Sequence, residues 1–200
     1  MDLVGTVMGL ATIPMALLSV VSVISGVALL LSGAWMVVVG GIVAFAVGLI
    51  VAALLEFVVK GLDAAALAVL ERRGRRAGRL VGLLSGILPM LVVLGWEYLC
   101  LTRIMATQAR PELLWFWSYG VATGPWTIFA QYVGSDQRTS CGIRAYAGHL
   151  AYWLLSALVL ICHVPHWLAF AAMLLPAILP ITVGTLLATA DREALRNVRI

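Results

Sequence analysis

A chain of 200 residues that is 63% hydrophobic and only 11% charged, with a formal net charge of +4, stands far from the soluble norm of roughly 45 to 50% apolar and about 25% charged residues. A soluble core of this size cannot hide so much apolar surface, and no nucleic-acid partner is expected. The composition predicts an all-α integral membrane protein whose first partner is the lipid bilayer.

Between Asp2 and Glu56 lie 53 residues without a single Asp, Glu, Lys or Arg, and between Arg144 and Asp191 lie another 46. At ~1.5 Å per residue either run would make roughly 70 to 80 Å of helix against a hydrocarbon core of ~30 Å, so each must fold back once. With the shorter apolar stretches between them, the spans fall at about 5–31, 35–58, 80–101, 113–133, 145–163 and 167–189, a polytopic bundle of about six helices in one membrane domain, 1–200. Met1 and Asp2 offer no positive n-region, and the first span is expected to stay in the mature protein.

The first span carries Gly5 and Gly9 at a four-residue spacing and Pro14 inside it. The second carries a small-residue stripe, Gly40, Ala44, Gly48 and Ala52. Such ridges let membrane helices approach closely, within one chain or across the seam of a homo-oligomer or larger membrane complex. Near its end Glu56 precedes Lys60 by one turn, the favourable acid-before-base order.

A basic loop at 60–79 follows, opening with a helix-favouring alanine-rich run that should carry the second helix beyond the membrane or along its surface. Its arginines, Arg72, Arg73, Arg75, Arg76 and Arg79, fix orientation and suit anionic lipid headgroups. The third span repeats the small-residue ridge at Gly82 and Gly86, is kinked at Pro89, and ends near Glu97 and Cys100. The fourth is dense in aromatic residues, and its Gly124–Pro125 pair is a place where it would break into an interfacial segment. The polar stretch 134–144 shows neither a phosphate-binding glycine pattern nor a nucleophile paired with a histidine base. In the last span Pro176 and Pro180 withdraw two backbone donors and kink the helix.

Orientation follows from the basic residues, since cytoplasmic segments carry the excess of Lys and Arg. With six spans and the N-terminus inside, eleven basic residues are cytoplasmic and only Arg103 and Arg110 are not. Were the fourth segment not to cross, the split would be six to seven. Trp35, Trp96, Trp115, Trp117 and Trp167 then all fall on the outer side, as a belt of amphipathic rings at the interface should. Both termini are expected in the cytoplasm. Twelve arginines to one lysine point to a GC-rich bacterial genome and so to a cell inner membrane.

An ionisable group inside a span is costly and marks function by default. Glu97 and Cys100 near the outer end of the third span, with Cys162, His163 and His166 at the same level beyond the fifth, form a polar outer-face cluster. Its carboxylate, thiolate and imidazole are the groups that hold a transition metal or move a proton. Pro165 interrupts the His163–His166 spacing, so no metal is assigned. His149 and His163 stand fourteen apart, nearly four turns, a spacing suited to stacked haems, but a matching pair on another helix is lacking and no haem is predicted. Three cysteines, Cys100, Cys141 and Cys162, have no zinc or redox spacing, leaving a Cys100–Cys162 bridge as the one pairing of interest.

Three functions fit these residues. A small transporter or channel-like permease uses six kinked spans; an accessory or assembly subunit uses the packing ridges; a redox or metal-dependent membrane enzyme uses the outer cluster. The first is favoured, although no carboxylate is expected near the midplane.

Overall fold

The structure, a computed structural model, describes residues 3–73, 75–133, 149, 152–169 and 171–172, with backbone alone over stretches such as 3–12 and 70–86. All regular structure among these residues is helical. Four long helices, α1 (Leu3–Leu31), α2 (Trp35–Arg73), α3 (Arg75–Met105) and α4 (Pro111–Val133), are followed by α5 (Tyr152–Ile161). The closing residues of α5, Ala157–Ile161, wind as a π-helix.

The reversal between α1 and α2 takes three residues because Gly33 adopts φ 85°, a left-handed conformation that only glycine enters without strain. The Ala34 amide then donates to the Leu29 carbonyl at 2.9 Å and the Gly33 amide to Leu30 at 3.0 Å, satisfying carbonyls that the helix end would otherwise orphan. From Trp35, α2 meets no proline in 39 residues, which is roughly 58 Å of helix, far longer than a ~30 Å hydrocarbon core. The residues read as a basic loop are therefore helical up to Arg73 and again from Arg75. The side chains of the five loop arginines lie outside the described residues, as do Pro176 and Pro180.

Pro111 opens α4 in the first turn, where its missing N–H has no intrahelical partner to lose, and Glu112 places negative charge in the same turn. The helix then runs through Gly124 and Pro125 without breaking. Its two glycines explain how it fits. Gly120 lies against Ser22 of α1 and Gly124 against Phe45 of α2, while Pro125 rests on Gly48 of α2. Ser22 and Gly26 meet α4 in reverse order, so α1 is antiparallel to it; Gly41, Phe45 and Gly48 meet it in forward order, so α2 is parallel. α4 touches α1, α2 and α3, and α2 likewise touches the other three.

Two helices among the described residues, Ile13–Leu31 and Trp35–Leu62, are long and apolar enough to cross a membrane. Their outward faces are aliphatic: Val23, Ile24, Val43, Ile50 and Leu54 are all exposed. The buried positions include Ser22, Ser25, Glu97, Ser118, Thr123 and His149. The interior also holds an apolar cluster that includes Leu29, Val38, Leu94, Leu101 and Leu155, so the polar residues lie among aliphatic ones.

Candidate functional site

Glu97 sits on the stripe of α3 that also buries Val93, Leu94, Cys100, Leu101 and Ile104, residues three to four apart and therefore on one helical face. Its exposure is 0%. Among the described residues neither carboxyl oxygen has a hydrogen-bond partner, a rare condition for a buried polar group. Cys100 one turn on, Tyr119 on α4 and Tyr152 on α5 are close enough to interact with it electrostatically.

The polar groups around it come from two further stripes. On α4, Tyr119, Thr123 and Thr127 recur every fourth residue; on the other side, His149, Tyr152 and Ser156 are spaced three and four apart. These stripes meet. The Tyr119 and Tyr152 rings lie edge to face, with centroids 5.5 Å apart, a favoured aromatic geometry.

Their hydrogen bonds have a definite direction, which the backbone acceptors set. Thr127 Oγ1 donates to the Thr123 carbonyl at 3.0 Å, so its lone pairs are left to accept the Nε2–H of His149 at 2.8 Å. His149 Nδ1 is then the acceptor, and takes the Tyr119 hydroxyl proton at 3.1 Å. Ser118 Oγ donates to the Trp115 carbonyl at 2.8 Å, and the Tyr152 hydroxyl, 2.5 Å from Ser118 Oγ, also reaches the Trp115 carbonyl at 3.4 Å. Both tyrosines thus direct their protons to partners other than Glu97.

The residues singled out from the sequence fall into two groups. Glu97 and Cys100 are buried, whereas Cys162, His163 and His166 are exposed on the turn after α5. Next door to Glu97, the Tyr98 hydroxyl meets His166 Nδ1 and the two rings pack edge on at 5.6 Å. Cys100 and Cys162 are both free thiols, and Cys141 lies outside the described residues. No group of three or more His, Cys, Asp or Glu among the described residues is arranged to hold a metal. His163 lies beyond the end of α5 with φ 50°, so it does not share a helical face with His149.

The π winding explains that turn. The Cys162 amide reaches back five residues to Ala157 at 3.1 Å, and the Val164 amide six to Leu158 at 3.0 Å. One residue more is packed into the last turn than an α-helix holds. Within α2, Lys60 Nζ and Glu56 Oε1 are 3.7 Å apart, in the register their sequence spacing predicts.

Ser118, Tyr119, Thr127 and Tyr152 are not singled out from the sequence alone, although their i, i+4 and i, i+3 spacings are readable. No protein-family model, curated protein or solved structure matches the chain.

Proposed function

We propose that this chain is a polytopic protein of a bacterial inner membrane, with about six spans and both ends in the cytoplasm, and that it works as a small permease. The observation that carries the reading is the polar seam between α3, α4 and α5, centred on a fully buried carboxyl group with no partner among the described residues. A scaffold that only filled the bilayer gains nothing from such a group, because its burial costs several kcal/mol or more. The aliphatic outer faces of α1 and α2 and the eleven-to-two division of basic residues support the membrane placement. A polar interior inside an apolar shell is what a solute needs to leave water and cross.

Reconstitution of the purified chain into liposomes, with flux measured across a panel of small ions, amines, acids and sugars, tests the proposal. Flux of at least one solute above that of empty vesicles, lost on Glu97→Gln, is expected. Traces equal to empty vesicles for every solute would overturn it.

A further inference from the structure

Gly48 of α2 fixes the depth of Glu97. A Cβ there would lie 2.7 Å from Pro125 of α4 and 2.9 Å from the ring of Trp96 on α3, so two side chains close on one point of α2. Gly48 and Trp96 are 48 residues apart in the chain, roughly 72 Å of unbroken helix, and their contact therefore folds α3 back along α2. Glu97 is the next residue, within about one turn, ~5 Å, of the level of Gly48. The apolar stretch Trp35–Leu62 has Gly48 at its centre, about 20 Å of helix from either end. Counted along its own span, Glu97 falls near the outer surface. The register against α2 moves it inward, to the middle of the apolar layer, where the sequence alone predicts no carboxylate.

At that depth the carboxyl group is uncompensated. It is fully buried, and neither oxygen has a hydrogen-bond partner among the described residues. Lys60, Arg103 and Arg110 are the basic residues whose side chains are described; all three are exposed, and Lys60 is engaged with Glu56. Both ring nitrogens of His149 are taken by Tyr119 and Thr127, and His163 and His166 are exposed. On its own face of α3, Glu97 has Val93 and Leu94 one turn before it and Cys100 and Leu101 one turn after it, all buried.

An ionised acid in this setting needs a positive charge brought from outside. One carboxylate neutralises one charge, so a divalent ion would leave an excess in a medium of low dielectric. An alkali ion exchanges its hydration shell for a ring of oxygen ligands, and this face of α3 supplies only the two of the carboxyl group. An organic ammonium ion fits better. Its N–H groups donate to those two oxygens, and its carbon atoms suit the aliphatic residues one turn to either side.

We infer that Glu97 is a midplane binding site for a small organic ammonium ion, set at that depth by Trp96 and Pro125 closing on Gly48. The inference rests on the permease reading and names the class of solute carried.

Equilibrium binding of radiolabelled methylammonium to the full-length protein in lipid nanodiscs tests it. The wild type should bind saturably, and Glu97→Gln should lower the affinity by about tenfold or more, as loss of a hydrogen bond to a charged group does. If Glu97→Gln fails to fold, Glu97→Asp serves instead: it keeps the charge, withdraws it by one methylene and should bind with a several-fold loss. Gly48→Ala, which pushes Trp96 and Pro125 off α2, should also weaken binding several-fold, whereas Gly40→Ala, with open space for its Cβ, should leave it unchanged. Infrared difference spectra report the contact itself. Methylammonium should move a carboxylate band that is sensitive to 13C-glutamate labelling, and that change should be absent in Glu97→Gln.

The inference is overturned by a wild type without saturable methylammonium binding, or by binding unchanged in Glu97→Gln. It is equally overturned if sodium or potassium displaces the label as well as unlabelled methylammonium does, which would make this a metal-cation site. Flux separates the two proposals. Methylammonium held at Glu97 with no solute moved leaves the site standing without the permease; flux of acids or sugars alone, indifferent to Glu97→Gln, leaves the permease without the site.

Discussion

Trp117 of α4 donates its indole N–H to the Val37 carbonyl of α2 at 3.4 Å, and the same ring fills the space that side chains at Gly26 and Gly41 would need. A Cβ at Gly26 would lie 2.6 Å from the Trp117 ring, and one at Gly41 would meet the indole nitrogen itself. One rigid side chain therefore joins α1, α2 and α4.

Gly26→Ala and Gly41→Ala should each destabilise the protein by about 1 to 3 kcal/mol, since a ring held by a hydrogen bond cannot step aside. Gly40→Ala is the control. Nothing lies within 4 Å of a Cβ there, and alanine's better helix propensity should leave stability equal or higher by up to about 1 kcal/mol. Reversible unfolding in mixed micelles reads all three, and equal losses at Gly40 and Gly41 would refute the wedge.

The two left-handed residues make a second pair of tests. Gly33→Ala should cost about 1 kcal/mol through backbone strain alone, because its Cβ would stand in open space. At His163, φ 50° is a conformation that asparagine shares and valine avoids. His163→Asn should be neutral and His163→Val destabilising by about 1 to 2 kcal/mol in the same assay.

The Tyr152–Ser118 hydrogen bond can be isolated by a double-mutant cycle with Tyr152→Phe and Ser118→Ala. A coupling near 0.6 kcal/mol is expected, the average for interhelical hydrogen bonds in membrane bundles. Additive losses would mean that each hydroxyl is satisfied by the Trp115 carbonyl alone.

Thiol labelling tests orientation. In a Cys141→Ser background, a charged maleimide added to intact cells should modify exposed Cys162 and spare buried Cys100. Modification only after the inner face is opened would reverse the orientation drawn from the arginines.

Helix existence was legible because uncharged runs of 53 and 46 residues admit few folds. The Glu56–Lys60 pair was legible too, since its geometry is local to one helix. Glu97 and Cys100 stood out by chemistry. Their surroundings did not, because which face of α4 meets α3 and α5 is decided by Trp117, Gly120 and Gly124 packing against α1 and α2, and no local pattern encodes that. The separation of Cys162, His163 and His166 from Glu97 has a similar cause: the π winding at Ala157–Ile161 turns the end of α5 away from the register that regular spacing implies.

The position of α4 also bears on how the bundle is built. The first three helices emerge before it, yet α1 and α3 make no contact with each other, and α1 shares far less surface with α2 than with α4. Without α4, α1 keeps only its turn and a narrow contact with α2, while α2 and α3 still pair extensively. Removing α4 would therefore leave α2 and α3 paired and α1 loosely attached, so the fourth helix is what locks the first into the bundle.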